Sequence, residues 1–146
     1  MTDLTDFART AAADSGLSVA ISTRPDGTAQ ASVVNAGPLA HPVTGRPAVA
    51  LVAAGGSRKL ANWRRSPHAT IVVKTGWQWV AVEGAVDVFG PDDARPDFDT
   101  EQLRLLLREV FVAAGGRHDD WDEYDRVMAA ERRAAVFVTA ERVYSN

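Results

Sequence analysis

Residues 47–67, PAVALVAAGGSRKLANWRRSP, contain a strand, a turn and a helix in immediate succession, and this unit decides the fold. Residues 47–53 are apolar almost throughout, which is typical of a strand that is buried on both faces. Two glycines end the strand, and Ser57 is well suited to cap a helix that runs from Arg58 to Arg65. The segment therefore predicts a central buried strand that leads directly into a short cationic helix.

Outward from this unit, period-two patterns alternate with turn residues and predict five more strands. These strands are predicted over residues 17–23, 28–35, 69–74, 77–89 and 134 to about 143. A Thr75-Gly76 turn is predicted before the strand over residues 77–89, and this strand is expected to bend at Gly84. Helical spacing of apolar residues predicts three further helices, over residues 2–13, 100–114 and 120–133.

Six strands with helices inserted between them do not alternate as βαβ units, so a doubly wound parallel sheet is excluded. The pattern predicts one α+β domain over residues 1–146, namely a six-stranded antiparallel β-barrel with peripheral helices. Such a barrel is too narrow to hold a tricyclic ring inside. A large flat ligand must therefore lie outside the barrel or at a subunit boundary.

Composition excludes several classes of function. The chain has 146 residues and no cysteine, so disulfides, thiolate metal sites and cysteine catalysis are excluded. No stretch approaches the roughly 20 apolar residues that cross a bilayer, and the first 14 residues do not resemble a signal peptide. We expect a cytoplasmic protein with no membrane partner.

The charge is unevenly distributed along a chain whose formal net charge is −3. No Asp or Glu occurs between Gly27 and Val82, although this stretch carries six cations: Arg46, Arg58, Lys59, Arg64, Arg65 and Lys74. A local cationic face on an acidic protein suits a small polyanion better than nucleic acid, because the remaining acidic field repels a long phosphate backbone. A merely solvated helix flank is the alternative interpretation.

The segment Gly55-Gly56-Ser57-Arg58-Lys59 has the chemistry of a phosphate site, although it lacks the spacing of a P-loop. Small residues let backbone amides approach an anion, and a helix N-terminus with two cations attracts it. An ordinary strand-to-helix turn with surface cations remains the alternative.

Trp77 and Trp79 lie two residues apart on a predicted strand, so they are expected to share one face. That aromatic face suits stacking on a flat cofactor, and equally a core or dimer interface. His118-Asp119-Asp120 has metal-ligand residue types but no second histidine at helical spacing, so no metal site is predicted. No nucleophile–histidine context favours a hydrolase.

Several segments, in order, are similar to the pyridoxamine-phosphate-oxidase-like split barrels. They are Arg24-Pro25-Asp26-Gly27, Gln30-Ala31-Ser32, residues 57–67 and Val82-Glu83-Gly84. Within this superfamily the chain most resembles the flavin/deazaflavin oxidoreductases of class B, which use the deazaflavin F420. The segments that resemble this subgroup are Gly76-Trp77, residues 118–124 and Arg142-Val143-Tyr144.

The resemblance implies an FMN-binding type of split barrel that forms a homodimer with two cofactor sites at its interface. It implies phosphate contacts from Lys59, Ser57, Arg58 and Asn62, a ring system along Ser32, Val33, Val34 and Asn35, and a nearby strand carrying Trp77 and Trp79. The small pair Ala36-Gly37 departs from the bulkier residues of relatives. The chain also lacks the aromatic C-terminal signature of true pyridoxamine phosphate oxidases, which argues against vitamin B6 oxidation.

The function implied is hydride transfer between F420 and a small organic substrate. Arg64 and Arg65, one or two turns along the helix, are expected to attract the oligoglutamate tail that F420 has and FMN lacks. An FMN-dependent oxidoreductase is one alternative, and a non-catalytic flavin- or haem-binding module is another. No catalytic residue is identified, and Tyr124 is the one proton donor considered.

Overall fold

The computed structural model describes residues 1–146 and contains four helices and seven strands. The helices are α1 (Leu4–Ala12), α2 (Arg58–Arg65), α3 (Thr100–Ala113) and α4 (Trp121–Ala130). The strands are β1 (Leu17–Thr23), β2 (Ala29–Pro38), β3 (Ala48–Ala53), β4 (His68–Thr75), β5 (Gln78–Phe89), β6 (Ala134–Thr139) and β7 (Arg142–Ser145). No helix is long and apolar enough to cross a bilayer.

Six strands form a closed antiparallel ring in the order β4-β1-β2-β3-β6-β5, and a β4–β5 pairing completes it. The predicted six-stranded antiparallel barrel is thus confirmed. The seventh strand, β7, lies outside the ring and pairs with the first half of β5.

The final predicted strand, 134 to about 143, is in fact two strands, so that prediction was wrong. The long strand β5 pairs with β7 up to Glu83 and with β6 from Val86 onward. Between these two pairings lies Gly84, where an added Cβ would stand only 1.7 Å from the Thr139 carbonyl oxygen. Only glycine permits the Thr139 carbonyl to lie so close to β5, because glycine has no Cβ. This close contact lets the chain turn from β6 to β7 beside Gly84, where β5 is predicted to bend.

The β4–β5 hairpin also differs from its prediction by one residue. Thr75 pairs with Gln78, so the two-residue turn is Gly76-Trp77 rather than Thr75-Gly76. Gly76 has a φ of 59°, a left-handed conformation that glycine adopts without steric cost. Trp77 therefore belongs to the turn and not to the strand.

Two apolar clusters hold the fold together, one inside the barrel and one outside it. The inner cluster includes Leu60 and Trp63 of α2, both fully buried against the interior faces of the strands. The outer cluster packs α3 and α4 against the other faces of β3 and β6, with Phe137 at its centre. Consequently β3 and β6 are buried on both faces, as the apolar run at residues 47–53 predicts for β3.

A buried histidine fixes the long connection between β2 and β3. His41 is only 5% exposed, and its Nδ1 accepts the backbone N–H groups of Val43 and Thr44, each at 3.1 Å. Its Nε2 donates to the Asp87 carboxylate at 2.8 Å. One imidazole thereby satisfies two loop amides and ties the loop to β5.

We expect His41→Ala to lower the free energy of unfolding by about 2–3 kcal/mol, since two amides lose their acceptor and a buried ring is removed. Urea denaturation measures this loss. His68→Ala is the matched control, because His68 is exposed at the start of β4 and should change stability by less than about 0.5 kcal/mol. Equal effects of the two substitutions would contradict the anchoring role.

Candidate functional site

A cleft of 570 Å³ lies on the outside of the barrel, between the sheet and the α3–α4 pair. Its lining is mostly apolar, with a few polar groups, which is the usual character of a small-molecule site. The sheet side consists of Val33, Val34, Asn35, Val52 and Ala54, and the helix side includes Val110, Phe111, Ala114, His118, Glu123, Tyr124, Val127 and Met128. Lys59 and Arg133 complete the lining.

The end of α3 forms one boundary of the cleft because it lies directly on the backbone of β2. An added Cβ at Gly37 would stand 1.9 Å from the Ala113 carbonyl oxygen. The Ala36-Gly37 pair, noted above as a departure from relatives, therefore accommodates the end of α3. A larger residue at Gly37 would push α3 away from β2.

Of the four residues predicted to lie along a ring system, three line the cleft. Val33, which is 68% exposed, and Asn35 lie on the outward face of β2, and Val34 also reaches the lining. Ser32 does not line the cleft, and its Oγ is buried without a hydrogen-bond partner. Because side chains alternate along a strand, the four predicted residues are divided between the two faces of β2.

The N-terminus of α2 is open to an anion. The backbone N–H groups of Arg58, Lys59 and Leu60 have no acceptor within the chain. The Ser57 side chain makes no capping bond, contrary to prediction, and its Oγ is buried without a partner. Free amides at a helix N-terminus, beside an unpartnered hydroxyl, form a donor set that suits a phosphate oxygen.

Two cations at this N-terminus are unpaired. Neither Arg58 nor Lys59 makes an ion pair, and Lys59 also lines the cleft. One lysine therefore belongs both to the apolar cleft and to the open helix end. An amphipathic ligand with one anionic end fits this combination.

Asn62 is occupied inside the chain. It is 5% exposed, its amide donates to Ser22 Oγ at 3.1 Å and to Gln30 Oε1 at 2.8 Å, and its Oδ1 accepts from Arg65. These bonds fix α2 on the β1–β2 hairpin. A direct contact from Asn62 to a phosphate stays a prediction.

The relative position of the two tryptophans differs from the prediction. Trp77 is 91% exposed in the hairpin turn, and Trp79 is half-buried on β5 with its ring 6.0 Å from that of Tyr144. Neither lines the cleft, and the expectation that they share one strand face was wrong because Trp77 is not in the strand. Their contact with a cofactor stays a prediction.

Tyr124, the proton donor considered from the sequence, has a structural role. Its hydroxyl donates to the Leu107 carbonyl at 2.7 Å, and it joins α4 to α3 in the outer cluster. Burial raises the pKa of Tyr124 to about 12, so the phenol keeps its proton at neutral pH. It is therefore poorly suited to deliver a proton.

The helix wall of the cleft was not predictable from the sequence. His118 was considered only as a metal ligand, and the helical spacing in residues 100–114 and 120–133 did not indicate that Phe111, Val127 and Met128 line the cleft. No group of three His, Cys, Asp or Glu side chains is arranged to hold a metal ion. The helical spacing of apolar residues cannot by itself distinguish a helix face that lines a cleft from one that is buried in the core.

The sequence matches no known protein-family profile, but several solved structures are similar to the chain. A conserved hypothetical protein, Rv2991 from Mycobacterium tuberculosis, has a TM-score of 0.67 and 19% identity, over 99% of this chain and 84% of that chain. A pyridoxamine 5'-phosphate oxidase-related, FMN-binding protein from Nostoc punctiforme PCC 73102 has a TM-score of 0.63 and 11% identity, over 97% and 79%.

An F420 reductase has a TM-score of 0.58 and 15% identity, over 88% of both chains. The same fold occurs in a haem-binding protein from Mycobacterium smegmatis, with a TM-score of 0.59 and 16% identity over 100% of this chain and 58% of that chain. These likenesses show that the chain has the pyridoxamine-phosphate-oxidase-like split-barrel fold, as the resemblance implied. Among these neighbours, one is described as FMN-binding, one as an F420 reductase and one as haem-binding.

We expect Gly37→Ala to destabilise the protein by about 1–3 kcal/mol, because the new methyl group would overlap the Ala113 carbonyl and displace α3. Gly56→Ala is the matched control, since no atom lies within 4 Å of an added Cβ there. Urea denaturation of both variants measures the difference. A Gly37→Ala variant as stable as Gly56→Ala would show that α3 does not need this close approach.

Proposed function

We propose that the chain is an F420-dependent oxidoreductase that transfers a hydride between the deazaflavin and a small organic substrate. The observation that carries the proposal is the position of Lys59, which lies in the apolar cleft and at the open N-terminus of α2. A flavin-type cofactor has the matching shape, since it joins a flat ring to a phosphate-bearing chain. The reduced deazaflavin, when bound, supplies the hydride.

In this proposal the chain's residues bind and orient the cofactor. The α2 amides, with Ser57 Oγ, Arg58 and Lys59, would hold the phosphate. Val33 and Asn35 on β2 would lie along the ring, and the α3–α4 wall would exclude water from the opposite side. The unpartnered Ser57 Oγ supports this assignment, because a buried hydroxyl without a partner loses free energy that a phosphate oxygen would restore.

A homodimer is part of the proposal. Val33, Trp77, Val112 and Val127 are large apolar side chains that are between 42% and 91% exposed. A second copy would cover such surface and enlarge the binding site.

The cations that are free to bind the anionic tail of F420 differ from those expected from the sequence. Arg64 was expected to attract the anionic tail, but it makes a two-pronged ion pair with Asp93, at 2.9 and 2.7 Å. Arg65 donates to the Thr23 carbonyl and to Asn62. Arg58, which is exposed and unpaired, is therefore the cation that favours F420 with its longer anionic tail. The ion pair between Arg64 and Asp93 instead favours the FMN-dependent alternative.

We expect Lys59→Ala to weaken cofactor binding by about 1.5–3 kcal/mol, the range for a hydrogen bond to a charged group, without changing the melting temperature of the apoprotein. Arg46→Ala is the matched control, because Arg46 is an exposed cation without an ion pair that does not line the cleft. Fluorescence titration measures affinity. Unfolding of Lys59→Ala with unchanged affinity would instead support a purely structural turn.

The choice of cofactor is tested by titrating F420 and FMN separately at low and high salt. We expect tighter binding of F420, with a difference that shrinks in high salt and in Arg58→Ala, because tail contacts are solvent-exposed. Arg64→Ala should leave the difference unchanged. Tighter FMN binding at both salt concentrations would establish the alternative.

Two further readouts use the same samples. Haem binding without substrate-dependent cofactor oxidation would indicate the non-catalytic module. Sedimentation that shows a stable monomer at micromolar concentration would contradict the proposed homodimer and its contribution to the binding site.

A further inference from the structure

The helix wall of the cleft carries one side chain whose hydrogen-bonding state is fixed by the backbone. The Nδ1 atom of His118 accepts the backbone N–H of Asp120 at 3.0 Å. An imidazole nitrogen that accepts a hydrogen bond carries no proton, so in the neutral ring the proton is on Nε2. The neutral form of His118 therefore presents Nε2–H as a donor.

The orientation of this ring is also fixed. The His118 ring lies 5.7 to 6.2 Å from the rings of Phe111, Trp121 and Tyr124, which enclose it on the α3–α4 surface. Gly116 lets the chain pass over Phe111, because an added Cβ there would stand 2.6 Å from the phenyl ring. Packing and the Asp120 bond together leave the imidazole little freedom to turn.

The Nε2 atom has no hydrogen-bond partner in the chain, and it is not among the buried unpartnered atoms, so it is accessible. His118 lines the cleft, and Nε2 is its one unpartnered ring nitrogen. The other polar groups of the helix wall differ from it. Tyr124 donates its hydroxyl to Leu107, and the exposed Glu123 carboxylate accepts but does not donate. Arg133, at the end of the wall, is a charged donor that pairs with Glu131 through Nε and Nη2.

We propose that His118 is a specificity-determining residue whose Nε2–H binds a carbonyl oxygen, or an equivalent acceptor, of the substrate. This rests on the proposed function, in which the cofactor ring lies along β2, so that a substrate would lie between the ring and the helix wall. The cleft then selects flat, largely apolar molecules that present an oxygen acceptor to His118, in the connection between α3 and α4. It discriminates against hydrocarbons of the same shape, because these leave the donor unpaired.

The test compares two probes of similar shape, 1-indanone and indane, by chemical-shift titration of ¹⁵N-labelled protein with and without saturating F420. We expect 1-indanone to bind about five- to tenfold more tightly, the equivalent of one net hydrogen bond. His118→Phe keeps an aromatic ring in the packed position and should abolish the difference. His118→Gln retains a side-chain donor and should restore part of it, and His68→Phe, at an exposed site on β4, should have no effect.

Two outcomes would overturn the inference: equal affinities for the probes in the wild type, or a difference that persists in His118→Phe. A separate F420 titration distinguishes failure of the inference from failure of the proposed function. If F420 does not bind but the probe difference depends on His118, the inference stands and the cofactor assignment fails. If F420 binds equally well to wild type and His118→Phe while the probes are not distinguished, only the inference fails.

Discussion

The closure of the barrel depends on the contact between the backbone of Gly84 and the Thr139 carbonyl oxygen. At this point one edge of β5 exchanges β7 for β6, while its other edge pairs with β4 as far as Ala85. A side chain at position 84 would hold β5 and the end of β6 apart, and the ring would stay open. The interior cluster, including the fully buried Trp63, depends on that closure because an open sheet would expose it to water.

Closure also determines where a ligand can bind. The interior is filled by side chains from every strand and from α1 and α2, so the space for a small molecule lies outside. There α3 and α4 share an apolar cluster with β3 and β6, and the end of α3 lies directly on β2 at Gly37. The cleft is the gap left between β2 and these helices, and the direct β3–α2 connection brings an open helix N-terminus to it.

Local patterns in the sequence predict most of the fold. The apolar run at residues 47–53 has the length and composition of a doubly buried strand, and the structure confirms this interpretation. The division between β6 and β7 was not predictable in the same way, because residues 134–143 keep strand-like composition across it. The contact that separates them, Gly84 against Thr139, joins residues that are far apart in sequence.

The candidate site shows the same distinction between local and long-range information. The cations at Arg58 and Lys59 were identifiable from a helix start beside two glycines, which is a local signal. The engagement of Arg64 was not, because its partner Asp93 lies 29 residues away, outside the acid-free stretch that suggested free cations. His118 was missed because its position in the cleft depends on how α3 and α4 pack against the sheet.

The attachment of α2 has a kinetic consequence. Asn62 holds the helix to the β1–β2 hairpin, and Arg64 ties its last turn to the β5–α3 connection. The free amides at its other end therefore already point in fixed directions before an anion arrives, and binding there requires no ordering of the helix. Association should then proceed in a single diffusional step, and differences in residence time among related anions should arise almost entirely from their rates of departure.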